Sequence, residues 1–541
     1  MDERKYLLQE DFITDFVSRI GTEQWQVVYQ IQKTGSNTVV VYSALISPSA
    51  IPQILQKESW ELHIGNGLPG FSEYWDGEKR VISYHRYGGP EGIRPFVIVR
   101  EFHGAWPSYP EICEEFRHYH NLAESQGRSL LDFDESGYEI VAAKLQENLV
   151  TVRIDYLKQF LAGTQLALAV YFVSTRFSSL PLEEIPVGER SWIHQDESSF
   201  YRLDVVESDW TPSWMTMSQV MGKVVIFPPP IEKAGQWPFD ENEEDRDVEF
   251  IIGVDEDGKP ITYTSNPNRL ANYFGANPDA PHYLTPVFFR KEVLTKYFAD
   301  PDRYTVSDGY LRCLGLWGLR IDNNHPTHVV VFLGDLGRDL PYAERLHWKQ
   351  FNVPPEGTVS EVTFRRGFLA QFTDPTAPDL RFRQEYKLCV REWEERFGWP
   401  LFKPLRKEDA YLLETVHVPV TNSQSELDAQ ILALAKLLVD SLNEKEIHKV
   451  VRAGPENEKG ISKFERFLKA TGFPSTKSVI QLFRDVQALR SSSVAHRKGK
   501  EYQKMLARLG VDLRNKPDVM KRLLEEASMA LRKLREYYTR T

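Results

Sequence analysis

Leu166-Ala167-Leu168-Ala169-Val170-Tyr171-Phe172-Val173 is an unbroken apolar run of eight residues. A run this short reads as a buried strand, and no run in the chain approaches the ~20 apolar residues that a membrane helix needs. Around it the pattern stays β-rich. Trp25–Tyr29 and Thr38–Tyr42 flank Gly35-Ser36-Asn37, which predicts a hairpin. Further strands are expected near Phe71–Trp75, Arg80–His85, Phe96–Phe102, Tyr138–Leu145 and Leu149–Ile154. Helices are expected over Leu8–Ile20, over Tyr109–Leu122 with Pro110 in its first turn, and from Tyr156 onward.

On the C-terminal side the order fades. Residues 176–250 contain Pro228-Pro229-Pro230 and the acidic run Asp240-Glu241-Asn242-Glu243-Glu244-Asp245, and they read as irregular loop. A hairpin resumes at Phe250–Val254 and turns at Asp257-Gly258. An internal echo then suggests duplication: Val150-Thr151-Val152-Arg153 through Phe160 resembles Val362-Thr363-Phe364-Arg365 through Phe372. Upstream of each copy lie a β-rich run and then a proline eleven residues ahead of an asparagine, Pro110 to Asn121 and Pro341 to Asn352. Two related modules, near 70–175 and 280–375, would each bury one face against the other.

From Arg381 to Phe397 a long helix is expected, stopped by Gly398-Trp399-Pro400. A connection with one strand at Thr415–Pro419 follows. From Ser423 on, apolar periodicity predicts only helices, over 427–442, 460–471, 475–495, 500–509 and 516–538, a compact bundle. The expected fold class is therefore α+β: a duplicated mixed α/β body followed by an all-α C-terminal bundle. The expected parts are an α+β module over 1–175, an irregular, β-rich connection over 176–280, a second α+β module over 281–400, a linker over 401–422 and the bundle over 423–541.

Composition supports a globular protein. Of 541 residues, 41% are hydrophobic and 26% charged, and 12 Trp, 24 Tyr and 30 Phe supply ample area for a core. Met1–Tyr6 lacks an apolar signal core, so a soluble cytoplasmic chain without membrane contact is expected. Cys113, Cys313 and Cys389 are odd in number and far apart, which fits neither a disulfide framework nor a zinc motif. The net charge is −11, unevenly spread. Residues 421–541 carry 24 Lys and Arg against 15 Asp and Glu, a net of +9, while residues 1–420 carry −20. Such a split marks a polyanion-binding module on an acidic body, although long helices also carry Lys and Arg simply on their wet face.

Most candidate chemistry reduces to local structure. His118 and His120 stand two apart on an expected helix and point to nearly opposite sides, so they cannot share a metal. His325 and His328 lie in a turn without further ligands at metal spacing. Asp255-Glu256-Asp257-Gly258-Lys259 is explained by a hairpin turn. Gly334-Asp335-Leu336-Gly337-Arg338-Asp339-Leu340-Pro341 follows an apolar strand but lacks phosphate-loop glycine spacing. Asp335 and Asp339, on a strand-to-helix loop, remain possible ligand-binding residues. No metal site and no cofactor are expected.

Only Leu489-Arg490-Ser491-Ser492-Ser493-Val494-Ala495-His496-Arg497-Lys498-Gly499 combines residue type, spacing and charge toward one chemistry. An imidazole moves protons near neutral pH, and a guanidinium holds a phosphate with fork geometry. Arg490, five residues and then His496, inside a small helical bundle, resembles the signature of the HEPN superfamily. The resemblance covers about residues 423–541, and this chain has Ser491 where many members carry Asn, Asp or His. It implies a metal-free endoribonuclease acting as a homodimer or higher homo-oligomer in phage defence or stress response. Arg490 and His496 would be catalytic; Arg497, Lys498 and Lys500 would bind RNA. The large N-terminal region would be a sensor or regulator with an unidentified trigger. On an unbroken helix, six positions leave the two side chains about 120° apart. Either the helix breaks in the serine-rich stretch, or two subunits complete one another's site. The alternatives are a non-catalytic scaffold whose bundle only dimerises, and an enzyme assembled from scattered residues of the body. Tyr283–Val287 and Gly334–Gly337 also resemble segments of uncharacterised bacterial proteins, which adds no function.

Overall fold

The computed structural model describes all residues except 1, 57–66, 89–91, 189, 212, 235–246, 452–457, 495–506, 513 and 540–541. The chain is α+β, with a large antiparallel sheet in its N-terminal part and helices at its C-terminal end. It divides into two compact units, residues 1–134 with 138–243, and residues 135–137 with 244–541.

In the first unit, β1 (Trp25–Thr34) and β2 (Asn37–Ile46) form the expected hairpin. There follow β3 (Ser129–Phe133), β4 (Glu139–Gln146), β5 (Leu149–Arg153), β6 (Ala167–Ser178), β7 (Ser191–Gln195), β8 (Ser199–Thr211) and β9 (Trp214–Ile226). They join in the order β7-β8-β9-β6-β2-β1-β5-β4-β3; Ala123–Glu124 extends the sheet past β3, and Arg94–Pro95 pairs with β2. The apolar run opens β6, with Leu168 opposite Leu45 on one side and Ile226 on the other. Both faces of that strand are covered. Leu168, Val170 and Phe172 meet Phe12, Phe160 and Leu161, while Ala167, Ala169 and Tyr171 meet Ile51, Ile54 and Leu55. Two-sided burial is why the run does not alternate with polar residues.

Three expectations fail here for identifiable reasons. The helix expected over Leu8–Ile20 is instead α1 (Glu3–Leu8), α2 (Glu10–Asp15) and a 3-10 turn at Val17–Arg19. Gln9 breaks it: its backbone is left-handed, at φ 52°, and its buried amide reaches Ser174 O at 3.1 Å and Ser218 Oγ at 3.0 Å. Residues 176–250, expected to be irregular, hold β7, β8 and β9, and the last two are 13 residues each. The helix expected over Tyr109–Leu122 is a strand, Tyr109–Ile112, paired with Val97–Arg100, and then a shorter helix, Glu114–Tyr119. Pro110 is tolerated because this is a two-stranded edge pairing. The helix expected from Tyr156 is α3 (Ile154–Thr164), and the strands expected near residues 71–85 pair as a separate hairpin.

The second unit opens with the expected hairpin, β10 (Glu249–Val254) and β11 (Pro260–Thr264). Then β12 (Pro286–Arg290), β13 (Tyr304–Ser307), β14 (Tyr310–Cys313), β15 (Trp317–Arg320) and β16 (His328–Phe332) make two three-stranded sheets, one of which Asn352–Val353 completes. Helices α4 (Leu333–Asp339), α5 (Tyr342–Lys349) and α6 (Glu361–Phe368) follow. The echoed segments therefore differ in structure. Val150–Arg153 is strand and leads into α3, whereas Val362–Arg365 lies within α6. Pro110 sits in a strand, whereas Pro341 precedes the first turn of α5. Similar letters took different forms because Val152 has sheet partners on both sides, Gln26 and Ala143.

The helical part follows the helices expected over 381–397, 460–471, 475–495 and 516–538 and adds one at Glu444–Val451, while the helix expected over 500–509 lies largely outside the described residues. It comprises α7 (Pro378–Phe397), α8 (Gln424–Ala435), α9 (Glu444–Val451), α10 (Gly460–Ala470), α11 (Thr476–Val494) and α12 (Lys516–Thr539). Gly398 ends α7 in the left-handed conformation, φ 73°. The strand expected at Thr415–Pro419 is absent; Leu412–Thr415 is a helical turn. One apolar core gathers Phe382, Trp393, Leu434, Phe464, Phe483 and Leu531. Buried Arg383 of α7 donates to Val306 O at 2.7 Å and to Val416 O at 2.9 Å, tying α7 to β13. Among the described residues no helix is long and apolar enough to cross a membrane.

Candidate functional site

Arg490 stands one turn before the end of α11, whose other face buries Val479, Phe483, Val486 and Leu489. That burial fixes the helix and leaves Arg490 half-exposed. Its partner comes from fifty residues away. Directly after α8 the backbone widens into a π-helical turn, Lys436–Asp440, and Asp440 ends it. Arg490 Nη1 donates to both Asp440 oxygens at 2.6 Å. The turn carries an inserted residue and is held by Tyr386, whose hydroxyl donates to Leu437 O at 3.3 Å. Such π-turns occur often at functional sites.

The helix does not break at the serines. It continues through Ser491, Ser492 and Ser493 to Val494, and Ser491 Oγ folds back on Gln487 O at 2.9 Å, the usual way a helical serine satisfies its hydroxyl. His496, Arg497, Lys498 and Lys500 lie outside the described residues. Asp440 was missed by sequence reasoning. A lone acid closing the run Leu437-Leu438-Val439 carries no signal of what it faces.

Asp335 and Asp339 are brought together through one arginine. Arg338 donates to Asp335 Oδ1 at 3.0 Å and to Asp339 Oδ1 at 2.6 Å, and Tyr283 Oη donates to Asp335 Oδ1 at 2.9 Å. Burial raises the Asp335 carboxyl above its usual range, opposed by the Tyr283 and Arg338 contacts. The glycines of the same motif serve close packing. A Cβ on Gly334 would overlap the Tyr283 ring, and one on Gly337 would overlap Ser265 O. The segment expected to be a loop is α4, clamped to the Tyr283 and Ser265 backbones.

The histidines separate as their spacing requires. His120 Nε2 lies 2.9 Å from Tyr156 O, and His118 is on the surface beside Glu114. The three cysteines are buried free thiols. Burial pushes Cys113 up to about 11 and Cys389 up to about 12, which keeps both protonated at neutral pH. Among the described residues no group of three or more His, Cys, Asp or Glu could hold a metal ion. No protein-family model, no curated protein and no solved structure matches this chain.

Proposed function

We propose that the C-terminal helical part is a HEPN-like, metal-independent endoribonuclease controlled by the large N-terminal region, in phage defence or a stress response. One observation carries this: Arg490 is presented at the surface of the bundle's end by a π-turn acid, in a segment of net charge +9. In the reaction, His496 takes the proton of an RNA 2′-hydroxyl, whose oxygen attacks the adjacent phosphorus. The bond from phosphorus to the 5′-oxygen breaks, and that oxygen leaves with a proton from a protonated histidine. Arg490, exchanged from Asp440 onto the phosphate, balances charge growing on its oxygens. The products are a 2′,3′-cyclic phosphate and a 5′-hydroxyl. A second copy supplying the complementary residue brings both roles to one phosphate, which makes a homodimer part of the proposal. The N-terminal region would hold the effector inactive until its trigger binds.

The test is to express the wild type, His496→Ala and Arg490→Ala and follow growth and total-RNA integrity with and without phage challenge. The purified proteins are then given RNA with a chelator present. RNA fragmentation by the wild type alone, ending in cyclic phosphate, supports the proposal. Intact RNA under every condition with all three proteins overturns it. The pairing of Arg490 with Asp440 is also what a purely structural surface ion pair looks like, and it favours a second reading: a non-catalytic scaffold whose bundle dimerises. That reading requires a stable dimer in solution together with intact RNA.

A further inference from the structure

Outside the helical bundle, the second unit holds a cavity of about 250 Å³ between α6 and the strand ends that precede it. Its position follows from strand alternation. Along β14 and β15, Leu311 and Leu319 point into the core, so Tyr310 and Arg320, which pair across the two strands, share the opposite face. Thr363, Arg366 and Gly367 follow at i, i+3 and i+4 on α6 and line the cavity as one stripe. Two acids hold α6 in place. Asp322 accepts from Ser360 N at 2.6 Å and from Ser360 Oγ at 2.7 Å, at the start of the helix, and Asp308 accepts from Arg366 at 2.8 Å, near its end. The cavity is therefore built into the fold.

The charges around it are committed, with one exception. Asp308 also accepts from the Asn324 side chain at 2.8 Å, and Asp322 from the Asn324 backbone amide at 3.2 Å. Arg366 donates to Thr373 O at 2.9 Å as well as to Asp308. Arg320 lines the same cavity, and its side chain has no hydrogen bond or ion pair among the described residues. Its charge acts on Asp335, which Arg338 already pairs. Val330, Phe332 and Val359 supply an apolar wall. An uncommitted guanidinium beside such a wall suits a carboxylate on an apolar body, because its fork of N–H donors matches the two carboxylate oxygens. With Asp308 and Asp322 on the same cavity, a ligand of several negative charges is repelled and a single one is accommodated. The volume lies just below the usual range of about 300 to 1,000 Å³, which sets the ligand at the size of one ring or a short branched chain.

We propose that this cavity binds a small monocarboxylate with an apolar body, its carboxylate on Arg320 and its body against Val330, Phe332 and Val359. Such a group exists on a free organic acid or at the C-terminus of a peptide that ends in an apolar residue. The site does not depend on Arg490 or on cleavage of RNA.

The test measures binding to the full chain by saturation-transfer NMR. The probes are benzoate with benzyl alcohol as its neutral counterpart, and a tripeptide ending in phenylalanine with a free or an amidated C-terminus. Arg320→Gln removes the cation. Gly367→Trp fills the cavity from a helical position where a Cβ meets no atom within 4 Å, so the fold accepts it. Arg365→Gln is the control: that side chain pairs with Glu361 at 2.7 Å and does not line the cavity. Circular dichroism verifies folding of every variant. The expected result is binding of an acid at least about tenfold tighter than its neutral counterpart. Arg320→Gln should weaken it about tenfold, the scale of one lost charge-assisted hydrogen bond, and Gly367→Trp should abolish it, with no change in the control. Binding of benzoate identifies a free acid, and binding of the tripeptide acid without benzoate identifies a chain end. The proposal is overturned if neither acid binds, if a neutral counterpart binds as well as its acid, if Arg365→Gln weakens binding as much as Arg320→Gln, or if binding survives both Arg320→Gln and Gly367→Trp in folded proteins.

Discussion

Arg490 and Asp440 face each other across the ends of two elements fifty residues apart, with one guanidinium nitrogen 2.6 Å from both carboxylate oxygens. Both side chains are about two-fifths exposed, at 37% and 42%. An ion pair in that setting is worth about 0.2 to 1 kcal/mol. A phosphate can therefore displace Asp440 at small cost. Asp440→Asn should leave the melting temperature nearly unchanged and strengthen RNA binding by up to about fivefold, the equivalent of 1 kcal/mol. A filter-binding titration on uncleavable RNA reads this, and weaker binding would show that Asp440 does not compete with the phosphate.

The motif Gly334 to Gly337 is a packing device. Alanine at Gly334 must push the Tyr283 ring aside, and that ring also donates to Asp335. Gly334→Ala should cost about 1 to 3 kcal/mol by overpacking. Gly337→Ala should cost at least as much, because it meets the Ser265 carbonyl and not a movable side chain. Urea unfolding of both variants measures the difference.

Glu426, in the first turn of α8, is a pH-dependent clasp. Burial alone would raise its carboxyl from the usual 4.5, but hydrogen bonds from His417, Thr421 and the Val420 and Thr421 amides bring it down to about 2. Its folded value lies below its unfolded one, so its stabilisation is fully present above pH 4.5 and is lost as pH falls toward about 2. Glu426→Gln should lower stability at pH 7 by about 1 to 3 kcal/mol and much less at pH 3. Unfolding free energies of the two proteins at both pH values test this; a constant gap across pH would contradict it.

Helices α7 and α12 are joined by buried charge. Arg535 donates to Glu385 at 3.1 Å and to Glu392 at 3.3 Å, and Arg532 donates to Glu385 at 2.7 Å. Arg535→Met leaves buried Glu385 with Arg532 as its one arginine and Glu392 with the Thr539 hydroxyl, and should cost about 3 kcal/mol, the low end for a broken buried pair. Adding Glu385→Leu should restore part of that, since the under-paired buried charge is then removed. Thermal melts of the single and double variants decide it.

Much of the fold was legible in local pattern. Apolar periodicity and stop signals located α7, α10, α11 and α12 to within a few residues, and Gly-containing turns located two hairpins, because each depends on neighbours in sequence. The strands β8 and β9 were not legible. Their buried faces mix Ser199, Thr216 and Ser218 with Leu203, Val205 and Val220, so no clean apolar alternation marks them, although each pairs with its neighbour in the chain. The Val150 and Val362 echo misled because only the flanking strands made one copy β.

By itself the sequence determined the long helices α7, α10, α11 and α12, the buried strand at Leu166–Val173, the charge split and the single motif worth testing. Tertiary structure alone decided that eleven strands join one sheet, that Gln9 breaks the first helix, that Asp440 meets Arg490 and that Arg320 and α6 line one cavity. The physical reason is separation. Helix periodicity and turn chemistry act over three or four residues, whereas sheet pairing and charge placement join residues tens to hundreds of positions apart, and nothing local records those partners.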